Sequence, residues 1–156
     1  EAVVGLINRT YRQDDEFFVD QVRTSVEVVQ GMAAEGMFWA AYTPVGDGEQ
    51  LVATAYVKVA DGKAALCEPL PLQIGVDPAF KRRGLGTAML SLAEAEAIYF
   101  GCETAQVHVV SVKPWLEAFY AGKGYKRVGE EAWPTPHELN PGVACFFHVM
   151  HKSLVG

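Results

Sequence analysis

A chain of 156 residues has the length of one ordinary domain, and with half of its residues hydrophobic and 21% charged it is not a disordered segment. The net charge of −6 argues against a nucleic-acid binder, which needs a basic face, and mildly favours cationic substrates. No apolar run reaches the roughly 18 residues of a membrane span, and the start lacks the basic-then-apolar layout of a secretory signal.

Residues 1–12 place Val3, Val4, Ile7 and Tyr11 at the i, i+3/i+4 spacing of an amphipathic helix. Asp14 and Asp15 suit the cap of a second helix, in which Phe18, Val22, Val26 and Val29 form one stripe and Gly31 and Gly36 bracket the end. Its β-branched residues are weak helix formers. Residues 37–42 read as a strand, Pro44 to Gly48 as a turn, and 51–59, rich in Val, Thr and Tyr, as the antiparallel partner. Asp61-Gly62 marks another turn. After Pro69 and Pro71, residues 72–76 form a short apolar strand.

A helix is predicted from near Gly84 to Tyr99, with Leu85, Met89, Leu92 and Ala93 in helical phase and Gly101 at the cap. Over 104–110, Ala105, Val107 and Val109 alternate with Gln106 and His108, the pattern of a half-buried strand. Pro114 opens a helix that continues to Lys123. Strands at 125–131 and 144–152 follow, separated by a loop containing Pro134, Pro136, Asn140, Pro141 and Gly142. This order implies an α/β fold: one domain over 1–156, a mixed sheet with helices packed on it, and no repeat or linker.

Cys67, Cys102 and Cys145 are odd in number and without close pairing, so they are expected to be buried thiols of a cytoplasmic protein. A Cys nucleophile is the minor alternative. The four His show no metal-ligand spacing, so no metal is expected.

The chemistry concentrates between Leu72 and Leu90. Lys81, Arg82 and Arg83 alone would read as a solvated turn. Here they follow a Pro-stopped strand, Ile74-Gly75-Val76-Asp77-Pro78, and precede Gly84-Leu85-Gly86-Thr87 at the start of a long helix. Such a helix start leaves N–H groups unpaired and carries partial positive charge, which suits a phosphate. Gly84 and Gly86 let the backbone approach a diphosphate closely. A P-loop run is absent, and Met89 stands where a dinucleotide fingerprint needs its third Gly.

At these residues the sequence resembles the GNAT superfamily of acetyl-CoA-dependent acyltransferases, whose motif is Gln/Arg-x-x-Gly-x-Gly/Ala at the same junction. Val76-Asp77-Pro78 and Gly84-Leu85-Gly86 match, while Lys81 replaces the usual Gln or Arg. The resemblance covers the chain from Met37 onward, with the family's first strand absent. It implies a mostly antiparallel sheet, splayed at its central parallel strands, and acetyl-CoA as co-substrate. The N–H groups of Arg82 to Thr87 would hold the diphosphate, and the strand edge Ile74-Gly75-Val76 the pantetheine arm. A backbone N–H near Val76 would polarise the thioester carbonyl.

Leu116 to Tyr125 resembles the family's Ala-x-x-x-Tyr-x-x-x-Gly-Phe/Tyr segment, which makes Tyr120 the acid for the departing thiolate; read as packing alone, Tyr120 is one aromatic of an amphipathic helix. Lys113 stands where the family often has Asn. Glu68 is the candidate base, though a surface Glu before Pro69 explains it too; His108, His148 and His151 are weaker candidates. The segment from Gly124 to Lys152 resembles a microbial branch of the superfamily and implies no acceptor.

The expected activity is acetyl transfer from acetyl-CoA to a primary amine of a small molecule or peptide, by direct attack. The alternatives are a catalytically silent acyl-CoA sensor and a phosphate-binding protein outside the family. Loops within 15–35 and 133–140 are expected to set the acceptor. The apolar last strand, 146–150, reads as core or as the edge of a homodimer.

Overall fold

The computed structural model describes residues 1–11, 17–19, 24–67 and 74–156. Helix α1 (Ala2–Tyr11) is followed by α2 (Val26–Glu35), which starts where Ser25 accepts a hydrogen bond from the Val28 N–H. The predicted cap at Asp14 and Asp15, and Val22, lie outside the described residues. Phe18 does not join a helical stripe: it bridges Leu139 across an isolated β-pair. The β-branched run accounts for the shorter helix, because Val and Thr lose rotamer freedom against a helical turn.

Strand β1 (Met37–Val45) pairs antiparallel with β2 (Gly48–Ala60), so the turn shrinks to Gly46 and Asp47. Pro44 is tolerated because β1 is the sheet edge, where a missing N–H costs no ladder bond. Asp61 and Gly62, both at positive φ, then turn the chain into β3 (Lys63–Cys67), which the sequence reading had left unassigned. Of the strand expected at 72–76, the described part is β4 (Gly75–Val76). Helix α3 (Leu85–Tyr99), β5 (Thr104–Val110), α4 (Pro114–Gly122), β6 (Lys126–Ala132) and β7 (Phe146–Ser153) follow the predicted order.

The sheet runs β1-β2-β3-β5-β7-β6, with β4 attached to β2. Among the described residues only the β3–β5 pair is parallel, and the expected mixed, mostly antiparallel architecture stands. β7 lies between β5 and β6, so its apolar run is core and not a free edge. α3 presses Met89, Leu90, Ala93 and Ala97 onto one face of the sheet, where Val57, Val107, Val109 and Met150 are also buried. Burying a side chain such as Leu90 is worth about 1.5–3 kcal/mol. Ala93 and Ala97, with no exposed surface, let the helix sit close. On the other face Ile7 and Tyr56 pack with Val29 and Met32, which holds α1 and α2 against β2.

The central pairing is incomplete. β3 follows β5 from Lys63↔Thr104 to Cys67↔Val107, and among the described residues β5 continues past that point without a partner on this side. Among the described residues β4 pairs with β2 alone. Among the described residues the two halves of the sheet therefore part between β4 and the end of β5.

Candidate active site

The cleft wall begins at β4. Its register, Ala53↔Val76 and Thr54↔Gly75, continues as the Asp77 N–H donates to the Val52 carbonyl at 2.8 Å. In an antiparallel ladder bonded and non-bonded pairs alternate, so the N–H and C=O of Val76 point away from β2, into the parting of the sheet. The Val76 carbonyl receives the Thr10 hydroxyl from α1 at 3.4 Å.

Asp77 turns the chain. It is buried, one carboxylate oxygen accepts the Ala79 N–H at 3.0 Å, and the other accepts Arg9 Nη2 at 3.1 Å and Nε at 3.3 Å. A short 3₁₀ turn, Pro78–Phe80, leads to Arg82 at φ 62° and Gly84 at φ 78°. Gly84 precedes the first turn of α3 and supplies no side-chain cap, and no acidic residue stands in that turn. Uncapped N–H groups beside a basic loop form a cradle whose charge suits an anion.

A cavity of about 540 Å³ lies between this cradle and α4. Of the predicted residues, Ile74, Val76, Lys81, Arg82, Gly84, Leu85, Gly86, Thr87 and Tyr120 all line it. Gly75 is buried in β4 and Arg83 stacks its guanidinium 5.1 Å from the Phe80 ring centroid; neither lines the cavity. Glu68 lies outside the described residues. Tyr120 is buried and packed edge-on to Phe119 and Tyr125. Six further lining residues, Thr10, Phe80, Lys113, Trp115, Leu116 and Phe119, were not among the predicted ligand contacts. Thr10 sits 66 residues from Val76 in sequence, and no local pattern announces that meeting. Lys113 and Trp115 flank Pro114, the helix-start signal itself.

The remaining candidates stand elsewhere. His108 is buried on the opposite face, with Nε2 3.1 Å from Glu131. His148 lies beside Arg127 at 3.4 Å, and Arg127 grips both oxygens of Glu117 at 2.7 Å. His151 Nε2 is 2.8 Å from Gln106 Oε1; burial, then the positive charge of Lys63 and the nearby His108, lowers its pKa from the ordinary imidazole value. Cys102 and Cys145 are free thiols, and burial raises both pKa values, which disfavours a nucleophilic thiolate.

A family model described as an acetyltransferase (GNAT) domain matches residues 34–127, more than half of the chain. No curated protein sequence matches. Among solved structures, the chain is similar to the ribosomal-protein-S18-alanine N-acetyltransferase of Escherichia coli at 18% identity and a TM-score of 0.68, over 95% of this chain and 87% of that one. The PaiA N-acetyltransferase of Thermoplasma acidophilum, solved with coenzyme A, is 15% identical with a TM-score of 0.63, over 97% and 91%. A GNAT family acetyltransferase of Elizabethkingia anophelis with acetyl-CoA bound is 12% identical with a TM-score of 0.66, over 83% of each chain. At these identities the likeness is one of fold.

Proposed function

Because the chain belongs to the GNAT family of acetyltransferases, we propose that it moves the acetyl group of acetyl-CoA to a primary amine of a small molecule or peptide by direct attack. The observation that carries this reading is one cavity that joins the uncapped start of α3, the open edge of β4 and the buried Tyr120. These three features match the three parts of the co-substrate: an anionic diphosphate, an amide-bearing arm and a thioester.

In this reading the backbone N–H groups from Arg82 to Thr87 hold the diphosphate, with Lys81 and Arg82 adding charge. Main-chain groups of Ile74 and Val76 pair with the arm as an added strand would. The thioester supplies an activated acyl carbon: its bond to sulfur breaks as the bond to the amine nitrogen forms. The Val76 N–H, aimed into the parting of the sheet, polarises the carbonyl oxygen. The Tyr120 hydroxyl donates a proton to the departing sulfur. The amine must be neutral to attack, and Glu68 remains the proposed base. Among the described residues His108, held by Glu131 just past the last β3–β5 pair, is the alternative. A cytoplasmic setting, with acetyl-CoA at hand, belongs to this reading.

Two measurements test it. A saturating ligand at about 100 times its Kd stabilises by about 2.7 kcal/mol, or roughly 5–10 °C for a chain of this size. CoA should give that shift and ATP or NAD should not; equal shifts from all three would point to a phosphate binder outside this chemistry. A thioester-consumption screen over amines and peptides should then find turnover, and Tyr120→Phe should lower it about 100-fold or more. Tight CoA binding with no turnover on any acceptor would favour a sensor.

A further inference from the structure

Helix α3 is apolar on two sides. Met89, Leu90, Ala93 and Ala97 press on the sheet. The opposite side carries Ala88, Ser91, Leu92, Ala95, Ile98 and Tyr99 at the i, i+3/i+4 spacing of one stripe, and all six are exposed. None of them is charged. A surface helix ordinarily turns charged residues to water, and a helix apolar all round belongs between two partners. The sheet is one partner. The other side is open: Leu92 is 42% exposed, Ile98 54% and Tyr99 81%.

The two charged residues of α3 stand on the flanks of this stripe. Glu94 turns away, its oxygens accepting the Tyr125 hydroxyl and the Lys152 ammonium, each at 2.8 Å. Glu96 lies on the other flank and is half-buried. The helix has no Lys or Arg, which a helix lying on an acidic lipid surface needs. The last strand, read from the sequence as core or dimer edge, is enclosed by β5 and β6 and offers no free edge.

We propose that the outer face of α3 binds the same face of a second copy of this chain, the two helices running antiparallel about a twofold axis. Three observations select this occupant. The face is self-complementary in size: with the axis midway along the stripe, Ala88 faces the partner's Tyr99 and Leu92 faces the partner's Ala95. Each large side chain meets a small one, and the twofold repeats each pair. The face is also neutral. Copies that each carry a net charge of −6 repel, and their approach is least opposed where no carboxylate lies in the contact. The area fits a reversible pair. The 15 residues of α3 span about 22 Å. Tyr99 alone offers about 150 Å² and the whole face roughly 400–500 Å². Two copies bury about 800–1,000 Å² together, the lower end for a specific contact, which corresponds to a Kd of about 10–100 µM.

Sedimentation equilibrium of the whole chain between about 1 and 500 µM should show monomer passing to dimer. Leu92→Lys and Ala95→Glu should each keep the chain monomeric, a loss of about 30-fold or more in affinity, because the charge enters the contact twice. Mixed in equal amounts, the two variants should pair again: the new ammonium then faces the new carboxylate, and the other pair is native. Val128→Glu, at a site 56% exposed on β6, should dimerise as wild type does. Leu92 and Ala95 are exposed, so both variants should melt with wild type at about 1 µM, which separates lost pairing from lost folding. A wild type that stays monomeric at the highest concentration, a dimer that survives Leu92→Lys, or a mixture that fails to pair would overturn the proposal. So would binding of the monomer to phosphatidylcholine vesicles that Leu92→Lys abolishes, which would assign the face to a lipid surface. The contact makes no use of the cavity, so each of these outcomes leaves the acetyl-CoA reading to its own measurements.

Discussion

Gly84 separates the strain of a backbone from the approach of a ligand. It sits at φ 78°, and a Cβ added there would meet nothing within 4 Å. An alanine at that angle costs about 1–2 kcal/mol of left-handed strain, and the stiffer unfolded chain returns about half of it. A net loss of about 1 kcal/mol lowers Tm by about 2–4 °C in a domain of this size. Gly142 is a matched control: φ 81°, equally open space, and not among the residues lining the cavity. Gly84→Ala and Gly142→Ala should therefore melt alike. They should differ in binding. The new methyl at 84 stands where a diphosphate must come close, so one charge-assisted hydrogen bond worth about 1.5–3 kcal/mol is lost and Kd rises about 10- to 100-fold. Circular dichroism melts without ligand and calorimetric titration with CoA measure the two effects separately. If both variants bound CoA as wild type does, Gly84 would be a turn residue and nothing more.

Three further outcomes follow from the packing. Gly36→Ala should cost about 2 kcal/mol in chemical denaturation, because its Cβ would lie 2.5 Å from the Val57 carbonyl oxygen and 2.6 Å from the Tyr56 hydroxyl. Its backbone is extended, so this is a steric loss; a Tyr56→Phe background should recover little of it, because the Val57 carbonyl oxygen and the ring carbon at 2.7 Å both remain. Asp77→Ala should cost about 2 kcal/mol by removing a buried carboxylate and its turn cap, and Arg9→Met only about 1, since water already screens a guanidinium 45% exposed. A denaturant series on both singles and the double variant reads their coupling. His151 sets a pH slope. Its lowered pKa means that the unfolded chain binds the proton more readily, so its contribution is complete above the unfolded value near 6.5 and is lost as pH falls through that value toward the folded one. His151→Gln should flatten the stability profile as pH falls below about 6.5, and an unchanged slope would assign it to other groups.

The strand, turn and helix start around Gly84 were legible because their signals are local. Pro78, the basic run and the two glycines occupy nine residues, and a long run of Ala, Leu and Glu, all good helix formers, stands behind them. β5 was legible for the same reason. β3 was not: Lys-Ala-Ala-Leu-Cys has little β propensity, and its place is fixed by partners on both sides, from Lys58↔Ala65 on β2 to Ala64↔Ala105 on β5. The second helix was placed too early because two aspartates offered a cap before Ser25 did. Trp115 and Phe119 looked like packing aromatics on an amphipathic helix, and only the fold shows that both line the cavity. The base stayed out of reach at both levels, since Glu68 falls outside the described residues.

The bond between Arg9 and Asp77 closes a span of 68 residues, and Thr10 meets Val76 across 66. Closing so long a loop is an entropic cost that is met only after the hairpins between have formed their nearer contacts. Assembly of the cavity is thus expected to be a late event tied to the arrival of the first helix, and its loss an early one, which folding and unfolding rates of α1 variants would read. Disturbing α1 should speed unfolding more than it slows folding. A chain shorn of that helix would keep a sheet to display and lose a wall of the chamber in which the chemistry is proposed to happen.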